Sequence, residues 1–592
     1  MADFAKSLRY DHAREKLDKY IDKLPADTCR LSKSEIKEKY PLSIEGWRIP
    51  INCGAEVHSI DYLIDWNFPY STPRLALPSY KDGSHWPHLF EGNYLCLLPN
   101  HAEIDSSLPV EAFDFLMTEA HDLIQKCMSG ELDDDFDEEF LSYWALRVTE
   151  PETPIYSLLK PTGPTRHIVL VEGPKSFIAC EKYADGQAWL ANRFGEKHSK
   201  VPFRKALLVW LGVPPKLKGF SRTNSALLSW LDGLDRDAAK VLKKALKNAE
   251  CMVIFGFDAG HGTALAAVKV KPNDVKAKGN SRKESIKARL ADAGQTQLYA
   301  VQRVDHSWLH GRDQDARSAV LKDKSVVLIG CGAVGGSIVV KLAEAGVGTI
   351  HCIDPGRLEW GNIGRHVLGG EDVGEVKSKS LAFRLRSRFP HLKFTDYGPF
   401  QWQEVYGTQK EVFSNADLIV TTTGSWQADG QLNDLALEPT KFPPILYGWT
   451  EAHAVAGHAV LIPPGAACLA CHFESKGVPV HKVVSWKEGT QLRREPACGT
   501  FFQPFGPIEL SFIKSLIADE ALGALLVRTE AAIWATWIAS IDHVTETGGT
   551  WSDEWIESFS DPGKGAARTK REWLHNPNCK VCGEGRERMK SD

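Results

Sequence analysis

Ser325-Val-Val-Leu-Ile-Gly330-Cys-Gly332-Ala-Val-Gly335-Gly336 is the stretch on which the reading of this 592-residue chain turns. Its first five residues are β-branched or aliphatic almost throughout, the pattern of a parallel strand buried on both faces. Gly330, Gly332 and Gly335 then keep the G-x-G-x-x-G spacing. Ile338, Val339, Leu342 and Ala343 follow with helical periodicity, and a second strand from Gly348 to Ile353 ends in Asp354. Such a strand–turn–helix–strand unit brings backbone N–H groups at a helix N-terminus up to a phosphate, while the acid reaches a ribose hydroxyl. On these residues alone the expectation is a bound nucleotide, with NAD the default.

The residues after Asp354 point elsewhere. Asn362, Arg365 and Lys377 follow within Gly361-Asn-Ile-Gly-Arg365 and Val373-Gly-Glu-Val-Lys377. A nicotinamide slot has no use for two cations and an amide beside the phosphates, whereas stabilising a pentavalent α-phosphate does require them. With these motifs, residues 310–582 resemble the ThiF/MoeB-type adenylation domain of ubiquitin-activating enzymes. The resemblance implies a Rossmann-like fold and ATP as the nucleotide. Gly330, Gly332 and Gly335 would form the phosphate loop, Asp354 would bind the ribose, and Asn362, Arg365 and Lys377 would hold the phosphates. Arg312 and Arg317 stand where relatives place further ATP-reaching arginines. One departure concerns the transient Mg²⁺. Relatives carry an acid at the end of the strand Ala416–Gly424, where Gly424 stands here, and an arginine where Asp429 stands. Either Asp429 takes over the metal role, or ATP and water hold Mg²⁺, or adenylation has been lost; Arg365 and Lys377 argue against loss. Asn433 keeps the family pattern.

Composition is that of an ordinary globular protein, 43% hydrophobic and 25% charged, long enough for three or four domains. A net charge of −5 gives no electrostatic reason to expect nucleic acid. No apolar run approaches the roughly 18–20 residues of a membrane helix, and Met-Ala-Asp-Phe-Ala-Lys has no signal core. Thirteen cysteines in so long a chain do not make a disulfide framework, so a cytoplasmic protein with reduced thiols is expected.

The N-terminal 150 residues combine an amphipathic helix near Leu8–Leu24 with short alternating runs from Trp47 to Pro78 that suggest an antiparallel sheet. A Pro-rich loop leads to Trp86-Pro-His88-Leu-Phe-Glu-Gly92-Asn-Tyr-Leu-Cys96. This resembles ubiquitin-conjugating enzymes, in which a His-Pro-Asn tripeptide stands eight residues before the active cysteine, counted from the Asn. Here Trp86 replaces the His and His88 the Asn, and Cys96 takes the place of the catalytic cysteine. The family Asn is held to stabilise the oxyanion formed when lysine attacks the thioester; an imidazole N–H can donate in the same way.

Val110–Met128 has helical apolar spacing. Glu131–Glu139 places seven acids in nine residues, read as a solvated edge. Pro151-Glu-Thr-Pro154 and Pro161-Thr-Gly-Pro164 mark a linker. Residues 165–305 carry strands at His167–Val171, Ala206–Leu211 and Met252–Phe255, and one or two helices over Ala226–Leu246. This is an α/β middle module of unassigned role. Its basic stretch Lys269–Arg289 lacks the interleaved aromatics of a nucleic-acid site.

Cys468-Leu-Ala-Cys471 and Cys579-Lys-Val-Cys582 are two C-x₂-C knuckles, the ligand set of a closed structural Zn²⁺ site stapling distant segments. Between them lies Cys498, in the loop where ThiF-type relatives carry the cysteine that takes the adenylated C-terminus. The assembly resembles the fused activating–conjugating proteins of bacterial CBASS anti-phage operons. The expected fold class is α/β. It comprises a ubiquitin-conjugating-like α+β domain (1–150), a Pro-rich linker (151–164), the α/β middle module (165–305) and a ThiF-type Rossmann-like adenylation domain with a parallel-rich sheet (306–592). The resemblance implies that the C-terminus of a CD-NTase-like cyclic-nucleotide synthase is adenylated, passed through Cys498 to Cys96, and joined to an amine on a target protein. A homodimer is expected. The chain ends in Lys-Ser-Asp rather than Gly, so it is not expected to be its own substrate. The rival readings are a ThiF-like sulfur-transfer activator and a non-catalytic nucleotide-binding scaffold.

Overall fold

The computed structural model describes residues 8–583 except 55, 81–85, 91, 99–103, 134, 136–138, 199, 212–222, 246–249, 260–261, 272–295, 439–441, 488–492, 495–500 and 505. Two compact units emerge: Met1–Pro154, Pro161–His167 and Lys205–Val301 form one, and Ile155–Lys160, Ile168–Arg204 and Gln302–Asp592 the other.

In the first unit, α1 (Leu8–Ile21) precedes a four-stranded antiparallel sheet of β1 (Cys29–Arg30), β2 (Glu45–Cys53), β3 (Glu56–Ile64) and β4 (Arg74–Ala76), in that order. Trp47 stands opposite Tyr62 and Ile49 opposite Ile60, so one face of β2 and β3 turns inward. That face meets Leu17 of α1 and Phe113, Leu116, Ala120 and Ile124 of α2 (Pro109–Ser129), residues spaced three or four apart. Pro109 opens α2 where its missing N–H costs nothing, and Gly130 closes it at φ +76°. A short helix, α3 (Phe140–Ala145), then packs Phe140 and Trp144 with Leu207, Phe255 and Phe257. Leu207 lies on the strand Phe203–Trp210, and Phe255 and Phe257 on the strand Cys251–Asp258. The expected helical stretch is two helices, Asn224–Leu234 and Arg236–Ala245, broken where the Asp235 carboxylate accepts from the N–H groups of Asp237 and Ala238.

The second unit starts inside the Pro-flanked stretch read as a linker, where Ile155–Ser157 is a strand parallel to Ser176–Cys180. Its main body is an eight-stranded sheet. In chain order the elements are β5 (Ser325–Ile329), α4 (Gly335–Glu344), β6 (Thr349–Ile353), α5 (Lys377–Arg388), β7 (Lys393–Asp396), β8 (Leu418–Thr421), α6 (Trp426–Ala436), β9 (Ile445–Thr450), β10 (Ala456–Ile462), α7 (Pro507–Leu526), β11 (Ile533–Ser540) and β12 (Gly565–Glu572). The spatial order is β7-β6-β5-β8-β9-β10-β11-β12, parallel through β9 and antiparallel beyond it. Val326 and Leu328 join one core with α4, α5 and α7, while Val327 and Ile329 join another on the opposite face. Burial on both faces explains why β5 has no polar alternation. The chain leaves β5 for β6 on one side and returns to β8 on the other, so a crevice opens at the carboxyl ends of β5 and β8, where ligands bind in open α/β sheets.

Three histidines sit together in this unit. His310 Nδ1 donates to the Glu344 carbonyl at 3.0 Å, and His310 and His391 share an Nε2···Nε2 hydrogen bond of 2.7 Å. His306 Nε2 bonds the Gly346 carbonyl at 2.6 Å. Only one proton fits between His310 and His391. Burial lowers all three pKa values, that of His391 from 6.5 to about 3. Because the unfolded chain binds protons that the folded chain refuses, stability should be full above about pH 6.5 and fall as pH drops towards 3. Urea unfolding midpoints should show this loss, and His391→Phe should flatten it; a flat wild-type profile would refute the assignment.

Candidate active sites

The glycine turn after β5 is built by close approach. Gly330 has φ +89°, and a Cβ on Gly335 would lie 1.9 Å from the Gly330 carbonyl oxygen and 2.5 Å from Thr422 Oγ1. Gly332 has no atom within 4 Å of where its Cβ would be. The turn is therefore sealed behind Gly335 and open at Gly332, onto a cavity of about 360 Å³ lined by Gly330, Gly332, Asp354, Lys377, Thr422 and Thr423. Asp354 anchors the turn: Oδ2 accepts from the Cys331 N–H and Oδ1 from the Gly356 N–H, each at 2.7 Å. Lys377 is the first residue of α5, so its charge adds to the positive end of that helix. Backbone donors, a cation and an open cradle fit the triphosphate of ATP.

Asn362 and Arg365 occupy the adjoining turn instead of the cavity wall. Asn362 Oδ1 accepts from the Glu359 N–H at 3.1 Å, and Arg365 donates to the Gly361 carbonyl at 2.7 Å. His366, which the sequence reading passed over, ties this turn to the glycines. Its Nε2 donates to the Cys331 carbonyl at 2.8 Å while Nδ1 accepts from the Leu368 N–H at 3.1 Å. Burial lowers its pKa, which keeps it in that neutral form. Arg312 lies over the Trp308 ring at 5.0 Å, and Arg317 pairs with Asp315 at 2.9 Å.

A second cavity, of about 430 Å³, shares Thr422 and Thr423 with the first and is walled by Trp426, Trp449, Phe473 and Trp486. Asp429 lines this one. Its Oδ1 accepts from the hydroxyls of Thr421 at 2.6 Å and Thr423 at 3.0 Å, and burial raises its pKa. Asn433 points elsewhere, accepting from the Leu469 N–H at 2.7 Å, beside Cys468.

The four knuckle sulfurs converge. Cys468 lies 3.9 Å from Cys471 and 3.7 Å from Cys579, and Cys471 lies 3.4 Å from Cys582, sulfur to sulfur. Four thiolates at about 2.3 Å from a tetrahedral Zn²⁺ stand about 3.8 Å apart. The N–H groups of Asn576 and Val581 donate to Cys471 and Cys579 Sγ at 3.5 Å each, the outer contacts such a site uses.

In the first unit Cys96 is half-buried and lines a groove of about 520 Å³ with Arg74, Phe90, Leu97 and Leu116. His88 stands beside it in the left-handed region, φ +59°. Its N–H donates to the Tyr143 hydroxyl at 2.6 Å, and its carbonyl accepts from the Cys96 N–H at 2.8 Å. The imidazole meets Asp135 through Nε2 at 2.9 Å and Glu139 through Nδ1 at 3.5 Å. One atom each of His88, Cys96 and Glu139 lie within 4.8 Å of one another. The acidic run read as a solvated edge thus turns two of its acids onto His88. Cys498 lies outside the described residues.

The model of the "ThiF family" matches residues 311–539, and that of the "Prokaryotic E2 family B" matches residues 22–150. The chain is 30% identical over 210 residues to the sulfur carrier protein adenylyltransferase of Thermus thermophilus, spanning 35% of this chain and 70% of that one. The chain belongs to the ThiF family. The ThiF domain is the eight-stranded sheet, and the E2-like domain carries Cys96. The two are fused as in the ATP-dependent ubiquitin transferase-like protein Cap2 of Escherichia coli, 24% identical over 553 residues, covering 86% of this chain and 88% of that protein. Cap2 of Vibrio cholerae is 24% identical over 512 residues, covering 79% and 86%. The chain is thus a homologue of ubiquitin-activating and E2-like ATP-dependent transferases over most of its length. Among the described residues no helix is long and apolar enough to cross a membrane.

Proposed function

We propose that this protein uses ATP to adenylate the C-terminal carboxylate of a partner protein and relays the acyl group through two cysteines to an amine. In the first step the carboxylate attacks the α-phosphate and pyrophosphate leaves; Gly332, the neighbouring backbone N–H groups and Lys377 hold the phosphates and Asp354 the ribose, while Arg365 and Asn362 would join them only if their adjoining turn swings in when ATP binds. The aromatic-walled cavity adjoining the glycine cavity at Thr422 and Thr423 suits the incoming tail. Mg²⁺ would accompany ATP; Asp429 on α6, already bonded to Thr421 and Thr423, is the candidate side chain to hold it. Cys498 then displaces AMP, and Cys96 takes the acyl group from Cys498 by thioester exchange. An amine attacks the Cys96 thioester with His88 as oxyanion donor. Cys468, Cys471, Cys579 and Cys582 hold a structural Zn²⁺.

The observation that carries this reading is one chain with both a glycine cradle, open at Gly332, and a half-buried cysteine lining an open groove. The resemblance to CBASS proteins names the partner as a CD-NTase-like cyclic-nucleotide synthase. It also makes the working form a homodimer, which light scattering checks. Co-expression with the partner and mass spectrometry should find its C-terminus amide-linked to a lysine. Cys96→Ala should remove that adduct at least about 100-fold while leaving pyrophosphate exchange intact. Sulfur transfer to the partner's C-terminus that survives Cys96→Ala, with no lysine adduct in the wild type, would instead favour a sulfur-transfer activator, and no exchange in the wild type would favour a scaffold.

A further inference from the structure

We propose that His88 holds Cys96 as a thiolate, with Asp135 and Glu139 as positioning residues that keep the imidazole protonated and facing the sulfur. This rests on Cys96 being the acyl acceptor, and adds a role that the asparagine of conjugating enzymes cannot perform. An amide donates a neutral N–H to an oxyanion and needs no acid beside it. Here two carboxylates approach both nitrogens of one imidazole, at 2.9 and 3.5 Å. Two acids converging on one half-buried ring repel each other unless a cation lies between them, and imidazolium supplies it.

The arrangement is held from several sides. The Tyr143 hydroxyl accepts from the His88 N–H and donates to Glu139 Oε2 at 2.8 Å, so α3 fixes the backbone of His88 and the acid together. The Cys96 N–H closes the strap onto the His88 carbonyl. These contacts stabilise a left-handed histidine that would otherwise be strained. Among the described residues the titratable groups facing His88 are Cys96, Asp135, Glu139 and Tyr143. Contact with Cys96, then with Glu139 and Asp135, pushes the His88 pKa from 6.5 up to about 11, and His88 in turn holds Glu139 below the usual carboxyl range. A nucleophile beside a base that is itself oriented by a third group is the general constellation of covalent catalysis.

The steps balance. The Cys96 thiolate attacks the donor thioester carbonyl; its new C–S bond forms as the old one breaks, the electron pair leaves on the donor sulfur, and that sulfur takes the proton from His88. Neutral His88 then accepts the proton that the attacking amine sheds, the amide C–N bond forms, and Cys96 departs as thiolate, restoring the pair.

Alkylation of Cys96 by iodoacetamide, followed across pH by peptide mass spectrometry on the full chain, tests this without ATP or a partner. In the wild type the half-maximal rate should fall below about pH 6, against about 8.5 for an ordinary thiol. His88→Asn should return it to about 8.5, and Asp135→Asn and Glu139→Gln should each move it part of the way. These acid variants are isosteric and independent, so misfolding of one leaves the other informative. A wild-type midpoint near 8.5, or acid variants with the wild-type profile, would overturn the proposal. So would His88→Asn retaining full acyl transfer to Cys96 at neutral pH, which leaves only an oxyanion role. A shifted profile with no thioester on Cys96 from any partner would uphold the thiolate pair and refute the relay.

Discussion

Replacing Lys377 with alanine should cut partner-dependent exchange of pyrophosphate into ATP by about 10²–10³-fold, the range seen when one charge-stabilising donor is removed from a transition state. Lys377 is the only lysine or arginine lining the glycine cavity among the described residues. In the proposed adenylation negative charge builds on the α-phosphate and the departing pyrophosphate, and Lys377 at the positive end of α5 would stabilise it. The side chain is half-buried and starts a helix already tied down by the Lys377 N–H, which donates to the Gly356 carbonyl at 2.9 Å, so truncation should leave the fold intact. Unchanged exchange with unchanged ATP affinity would remove Lys377 from the chemistry. Arg365→Ala makes the useful comparison. Its turn lies outside the cavity wall, and a loss as large as that of Lys377 would mean that this turn swings onto the phosphates when ATP binds.

Cys579→Ser should release the metal and lower the melting temperature of the ThiF domain by about 6–20 °C. The sulfurs draw together residues more than a hundred positions apart, and the segment carrying Cys579 and Cys582 follows β12, the edge strand. Zinc binding at such sites is worth about 10–16 kcal/mol in peptides that have no other core. This domain has its own core, so a loss of about 3–5 kcal/mol is the scale expected, or roughly 2–4 °C per kcal/mol for a domain of this size. Elemental analysis should give one zinc per wild-type chain and none in the variant, and a chelator should reproduce the shift. A metal-free wild-type protein with an unchanged melt in Cys579→Ser would show that the four thiols merely neighbour one another.

What could be read in advance follows physical range. The turn at Gly330 was legible because strand, glycines, helix and acid are contiguous, and each has a local reason for its residue type. The sheet and long helix of the E2-like domain were legible for the same reason. The convergence of the two cysteine knuckles could be read across their separation because C-x₂-C is stringent at each end. His88 was found by its distance from Cys96. Its acids were not: Asp135 and Glu139 lie 47 and 51 positions away, inside a run whose composition favours solvent, and only the fold turns them inward. Asp429 shows the converse. Alignment nominated it for metal, while its neighbours Thr421 and Thr423 supply a tertiary reason for an acid at that position. The middle strands were legible one by one, but their common architecture was not, because they divide between two units and no contiguous pattern describes either.

A metal ion held by the four sulfurs would turn the polypeptide from Cys468 to Cys582 into a closed ring. That ring contains Cys498, the whole of α7 and two strands of the large sheet, β11 and β12. One cut anywhere on its circumference would leave both fragments clasped. A protease nick beside Cys498 should therefore go unseen in a native gel and become visible only once a chelator opens the clasp.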